Sequence, residues 1–171
     1  MKSSKRKRKI PTAALIEGGF LESNLPVRAF ATLITLKQCS PNWFDGAFQE
    51  WVQGIQAHNQ RTLGWIRSFE PAPQLHAHAV LIAHSPIDCD YTEAVWRSLV
   101  PQRYKNAGEV KPFLPGICGM GYVLKQLGSS FEDAQFSDNL SAFAQGSGTQ
   151  FFGCNAIERR QLRRIAKQFD L

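Results

Sequence analysis

The chain has 171 residues, 43% of them hydrophobic and 11% aromatic. That is enough to build one domain around a real core, and it excludes a disordered polypeptide. No apolar run approaches the roughly 18 residues of a membrane span, and no apolar stretch of signal-peptide type follows the basic N-terminus.

Net charge is +6, and it is segregated. Lys2, Lys5, Arg6, Lys7, Arg8 and Lys9 put six positive charges ahead of any core residue, and residues 158–171 carry a net three more, which leaves −3 for residues 10–157. A basic arm on a mildly acidic body has two readings from charge alone, a solvated tail and a phosphate-binding arm. Cys39, Cys89, Cys118 and Cys154 are scattered, with no C-x-x-C pair. A zinc ribbon is not expected, and a reduced protein of the cytoplasm is.

In chain order, residues 1–26 read as a basic, flexible arm, with Gly18-Gly19 interrupting the segment before Pro26. Residues 27–171 read as a single domain. "VRAFATLITLK" (Val27–Lys37) is rich in β-branched and aromatic residues and predicts a strand. Ser40 followed by Pro41 is a helix start. Phe44, Phe48, Trp51, Val52 and Ile55 then recur at helical spacing, so the helix is amphipathic.

"RTLGWIRSFE" (Arg61–Glu70) and "LHAHAVLIA" (Leu75–Ala83) flank Pro71-Ala-Pro-Gln74 and predict an antiparallel hairpin. A helix over Asp90–Val100 and a short strand near Glu109–Phe113 follow. "GICGMGYVLKQLG" (Gly116–Gly128) leads through glycines into a short helix. Ser129–Gly148 reads as a polar connection with weak helical character. Ile157, Leu162, Ile165 and Phe169 mark the inner face of a basic C-terminal helix. Strand, helix, strand, strand, helix, strand is the order of an α+β, ferredoxin-like antiparallel sheet, expected here with helices mainly on one face.

The chemistry concentrates at His76 and His78. Residues i and i+2 of a strand share a face, with Cα atoms about 6.6 Å apart. Two imidazoles at that spacing can converge on one ion. His84 lies roughly 20 Å further along the strand and belongs to no shared site. Glu70 ends the neighbouring strand. If it pairs opposite His76, its carboxylate joins the histidines. A one-residue slip sends it to the other face and brings Arg67 beside His78. The first register is favoured, because a carboxylate stabilises a cation and an arginine repels it.

"FATLITL" (Phe30–Leu36), "LHAHAVLI" and "GYVLKQLG" (Gly121–Gly128) stand in an order that resembles the HUH endonuclease superfamily. The similarity is to the rolling-circle replication initiators of plasmids and small phages, over roughly Val27 to Gly128. The resemblance implies that His76 and His78, with Glu70, hold a divalent metal, Mn²⁺ or Mg²⁺. It implies that Tyr122 is the nucleophile and Lys125 its basic partner. It also implies single-stranded or stem-loop DNA at a replication origin as partner, with a host helicase and polymerase. Lys5, Arg6, Lys7, Arg8 and Lys9 would bind that DNA, together with Arg67.

The small residue between the histidines departs from the bulky one usual in the family. No second tyrosine neighbours Tyr122, which implies a single-tyrosine enzyme, and no P-loop is present. A single-tyrosine transposase and a relaxase are alternatives within the superfamily, although relaxases place the tyrosine before the histidines. An alternative of another class is a non-catalytic ferredoxin-like module that binds single strands.

The charge segregation carries its own prediction. Deleting Met1–Lys9 should weaken binding to single-stranded DNA at low salt and flatten its salt dependence. Each neutralised phosphate contributes about 0.7 to the slope of log K against log salt, so a mobile arm should supply a slope of about 2 to 3. Salt titration of the truncated chain checks this, and an unchanged slope would transfer the role to the basic C-terminal segment.

Overall fold

A computed structural model describes residues 12–35, 39–70, 75–100, 107–116, 119–124 and 134–143. Four helices and five strands follow one another along them: α1 (Thr12–Asn24), β1 (Val27–Ile34), α2 (Pro41–Asn59), β2 (Gly64–Glu70), β3 (His76–Ile82), α3 (Cys89–Leu99), β4 (Gly108–Pro112), α4 (Gly119–Val123) and β5 (Gln135–Phe136). A 3₁₀ turn covers Leu140–Phe143. The strands form one sheet in the order β4-β1-β3-β2-β5, and every neighbouring pair is antiparallel. The class is α+β.

Local chemistry accounts for the clearest elements. Ser40 caps α2 by accepting a hydrogen bond from the Trp43 amide at 3.1 Å, and Pro41 occupies the first turn, where its missing N–H costs nothing. Gln60 ends the helix in the left-handed region, at φ 49°. Asp88 caps α3 in the same way as Ser40, through the Tyr91 amide.

Alternation along β3 divides the sheet. Ala77, Ala79 and Leu81, with Ala29, Ala31 and Leu33 of β1, form a floor of mostly small residues. Four large rings sit over it: Phe44, Phe48 and Trp51 of α2, and Trp96 of α3. Small residues below let bulky ones above pack without voids. The buried indoles are satisfied, with Trp51 Nε1 donating to the Thr92 carbonyl at 2.8 Å and Trp96 Nε1 to that of Ala107 at 2.7 Å.

The other face has a core of its own. Ile66, Val80 and Ile82 are covered by Ala14, Leu21 and Leu25 near or within α1, by Met120, Val123 and Leu124 near or within α4, and by Leu140 and Phe143. Among the described residues helices therefore lie on both faces, two on each, and the expectation of a one-sided arrangement is corrected. The apolar end of β3 is long enough to need a second cover.

Two further expectations change. The arm does not extend to residue 26, because α1 runs straight through Gly18-Gly19. Glycine disfavours a helix interior by up to about 1 kcal/mol, and here packing against α4 overrides that preference. The polar connection after Gly128 contains a two-residue strand on the β2 edge and the 3₁₀ turn. Lys5, Arg6, Lys7, Arg8, Lys9, Lys125 and the basic C-terminal segment lie outside the described residues. Among the described residues, no helix is long and apolar enough to cross a membrane.

Glu17 on α1 is partly buried, and desolvation pushes its pKa above the ordinary carboxylate value. The unfolded chain therefore releases this proton at lower pH than the folded one. Stability is lost as pH rises through the raised pKa. Glu17→Gln should melt at higher temperature than the wild type at pH 7, and the gain should vanish below the carboxylate range. Thermal melts across pH check it; a gain independent of pH would assign the effect to packing.

Candidate metal centre

The β2–β3 hairpin builds the centre. Its register pairs Glu70 with His76 and Ser68 with His78. Glu70 is the last residue of one strand and His76 the first of the next, so the carboxylate meets both imidazoles where the sheet's polar face begins. His78 Nε2 lies 3.2 Å from Glu70 Oε1, and His76 Nε2 lies 3.8 Å from Oε2. The two rings stand perpendicular, at 88°, with centroids 5.1 Å apart. Glu70 and His78 are 8% and 7% exposed, while His76 is half-buried at the rim.

One ligand atom from each residue fits within a set no wider than 4.8 Å. Donors at about 2.1 Å from a common ion lie roughly 3 to 4 Å apart, so only a small closure separates this set from a coordination sphere. Three protein ligands leave further positions open, as a catalytic site requires. Two imidazoles and one carboxylate suit Mn²⁺ or Zn²⁺ better than Mg²⁺, which prefers oxygen ligands and takes much of its shell from water and phosphate.

His78 is held on every side. Thr32 Oγ1 lies 3.2 Å from its Nδ1, across the β1–β3 pair that sets Thr32 opposite His78. With a cation between Nε2 and Glu70, a proton on Nδ1 donated to Thr32 would leave the Nε2 lone pair for the metal. Phe30 stacks on the same imidazole at 5.8 Å. The Tyr122 ring meets it edge-on, with centroids 4.6 Å apart and planes at 86°.

Glu70, His76, His78 and Tyr122 are thus brought together from β2, β3 and α4. His84 is exposed, with its ring near Phe143 at 5.1 Å, and stays outside the cluster. Arg67 is a correction. It pairs opposite Ala79, points into the α2 face and is 3% exposed. Its guanidinium is ion-paired with Asp45, donates to Gln135 Oε1 at 2.7 Å and lies over the Phe48 ring at 4.3 Å. An arginine enclosed in this way offers no surface to a nucleic acid.

Local sequence does not single out Thr32. Its signal lies in "FATLITL", where two hydroxyls, Thr32 and Thr35, interrupt an apolar strand, but which of them meets a histidine depends on the strand beside β3.

Mn²⁺ titrated into the metal-free protein should show one site by calorimetry, lost in His76→Ala and in His78→Ala. Thr32→Val keeps the strand shape and removes the hydroxyl. It should weaken Mn²⁺ about 10- to 100-fold, the usual cost of losing such a supporting bond. Unchanged affinity in both histidine variants would exclude the centre.

Comparison of the chain with protein-family models, with curated proteins and with solved structures finds no match.

Proposed function

We propose that the chain is a metal-dependent enzyme of the HUH kind, which nicks and rejoins single-stranded DNA through a phosphotyrosine to initiate rolling-circle replication. The observation that carries this reading is the contact of Tyr122 with His78. A tyrosine from a separate helix meets the imidazole that shares Glu70 with His76. That is where a nucleophile for a metal-bound phosphate would stand. The β-α-β-β-α-β order of β1 to β4, with spatial order β4-β1-β3-β2, further supports a ferredoxin-like sheet of that kind.

A divalent metal held by Glu70, His76 and His78 would polarise the phosphoryl oxygens and offset charge gathering on them. The protein's own groups do the rest. Tyr122 supplies the oxygen that attacks phosphorus in line with the departing 3′ oxygen. A phenol has a pKa near 10 in water, so it must lose its proton as it attacks. That proton is balanced by the one the 3′ oxygen acquires on leaving. The products are a 5′-phosphotyrosine and a free 3′-hydroxyl. The phosphodiester energy is retained, so the 3′-hydroxyl can attack in reverse and rejoin the strand. Lys125, three residues on, would offset negative charge on the phenolate or the phosphate. The arm residues Lys5, Arg6, Lys7, Arg8 and Lys9 would add affinity without chemistry. The setting would be the cytoplasm, with stem-loop DNA at an origin and a host helicase and polymerase as partners.

Stem-loop single-stranded DNA and Mn²⁺ should yield a covalent protein–DNA band. Tyr122→Phe removes one oxygen and keeps the ring, so the band should disappear while the melting temperature barely moves. Lys125→Ala should slow the band and not prevent it. An adduct formed by Tyr122→Phe at the wild-type rate would assign another nucleophile. DNA binding with no adduct from the wild type would favour a non-catalytic module.

A further inference from the structure

We infer that Gly18 is a positioning residue: its missing side chain lets α1 and α4 touch backbone to backbone, and that contact sets Tyr122 against His78. The inference rests on the reading of Tyr122 above for what the tyrosine does, and on packing alone for where it sits.

A β-carbon at Gly18 would lie 2.7 Å from the Gly121 backbone nitrogen and 3.0 Å from its Cα. It would also lie 3.2 Å from the carbonyl carbon of Met120. All three atoms are main chain, so no side chain can rotate away. Restoring an ordinary carbon contact of about 3.5 Å requires the two helices to separate by roughly 1 Å. Gly121 directly precedes Tyr122, so the displacement passes through one peptide unit to the ring beside His78.

The neighbouring glycine shows that the helix itself does not ask for this. Nothing lies within 4 Å of a β-carbon at Gly19. Both glycines cost helix stability. Only at Gly18 does the structure return something for that cost, in the close approach of α4. Ala14, Leu21 and Leu25 flank the contact and bury into the same core as Met120 and Val123. They hold α1 down while Gly18 sets how near α4 can come. A helix of five residues, Gly119–Val123, has little rigidity of its own and takes its position from this neighbour.

The test reads the tyrosine without DNA and without metal. The three tyrosines, Tyr91, Tyr104 and Tyr122, are replaced by 3-fluorotyrosine, and Tyr122→Phe assigns its fluorine resonance. Its contact with His78 is then measured as the change in that resonance caused by His78→Ala. Gly18→Ala is made in a Gly19→Ala background, where alanine favours the helix and keeps the chain folded.

The expected result is that the His78-dependent change falls by more than half in Gly18→Ala and persists in Gly19→Ala alone. Mn²⁺ affinity should stay within about three-fold, since no ligand moves. Single-turnover adduct formation should fall about 10- to 100-fold with the KM for DNA unchanged, as a displacement near 1 Å implies. A His78-dependent change that is undiminished in Gly18→Ala overturns the inference. So does an equal loss in Gly19→Ala alone, which adds a methyl to the same helix where no atom lies within 4 Å. Failure of the nicking reading would appear only in the adduct assay and would leave the fluorine result standing.

Discussion

The register of the β2–β3 hairpin is the constraint on which the rest depends. Side chains alternate along a strand, so a slip of one residue exchanges every group between the two faces. In the observed register Glu70 meets His76, and Arg67 faces α2. The slipped one would bring a guanidinium to the histidines and bury a carboxylate among Phe44, Phe48 and Trp51. Arg67 helps to exclude that outcome. It is enclosed by Asp45, Gln135 and the rings of Phe48, Trp65 and Phe69, and an enclosed charge stripped of such partners costs several kcal/mol. The arginine on one face thereby secures the carboxylate on the other.

With the register set, the faces acquire different characters. The α2–α3 face is mostly apolar, apart from Arg67 with its partners and the buried threonines Thr35 and Thr92, and works as a foundation. The α1–α4 face runs from Ile82 and Val80, under helices, to His78 and His76 at its open end. Desolvation and access are graded along a single strand. His78 sits at the transition, shielded enough for its contacts with Glu70 and Thr32 to be strong, while His76 remains at the rim. The ring of Tyr122 closes the buried side.

Much of this was legible in the residues. Ser40-Pro41 and the aromatic spacing after it specified α2. The alternation in "LHAHAVLIA" separated the histidine face from the alanine face, and the five-residue turn from Glu70 to His76 favoured the observed pairing. Local periodicity and turn chemistry suffice for such features, because each is decided within a few residues. Gly18-Gly19 reads as a break because helix propensity is also local, whereas the compensating contact with Gly121 lies about a hundred positions away.

By itself the sequence determined the α+β class, the amphipathic helix, the hairpin and the three residues Glu70, His76 and His78 as a candidate ligand set. Backbone geometry alone makes i and i+2 share a face. Tertiary structure decided what lies opposite and above. It set Thr32 beside His78 through the β1–β3 pairing, turned Arg67 from a candidate surface cation into a buried one, divided the helices between both faces and brought Tyr122 onto the imidazole. These are contacts between segments distant in the chain, and no local pattern encodes them. They follow from which apolar surfaces find each other when the sheet is covered.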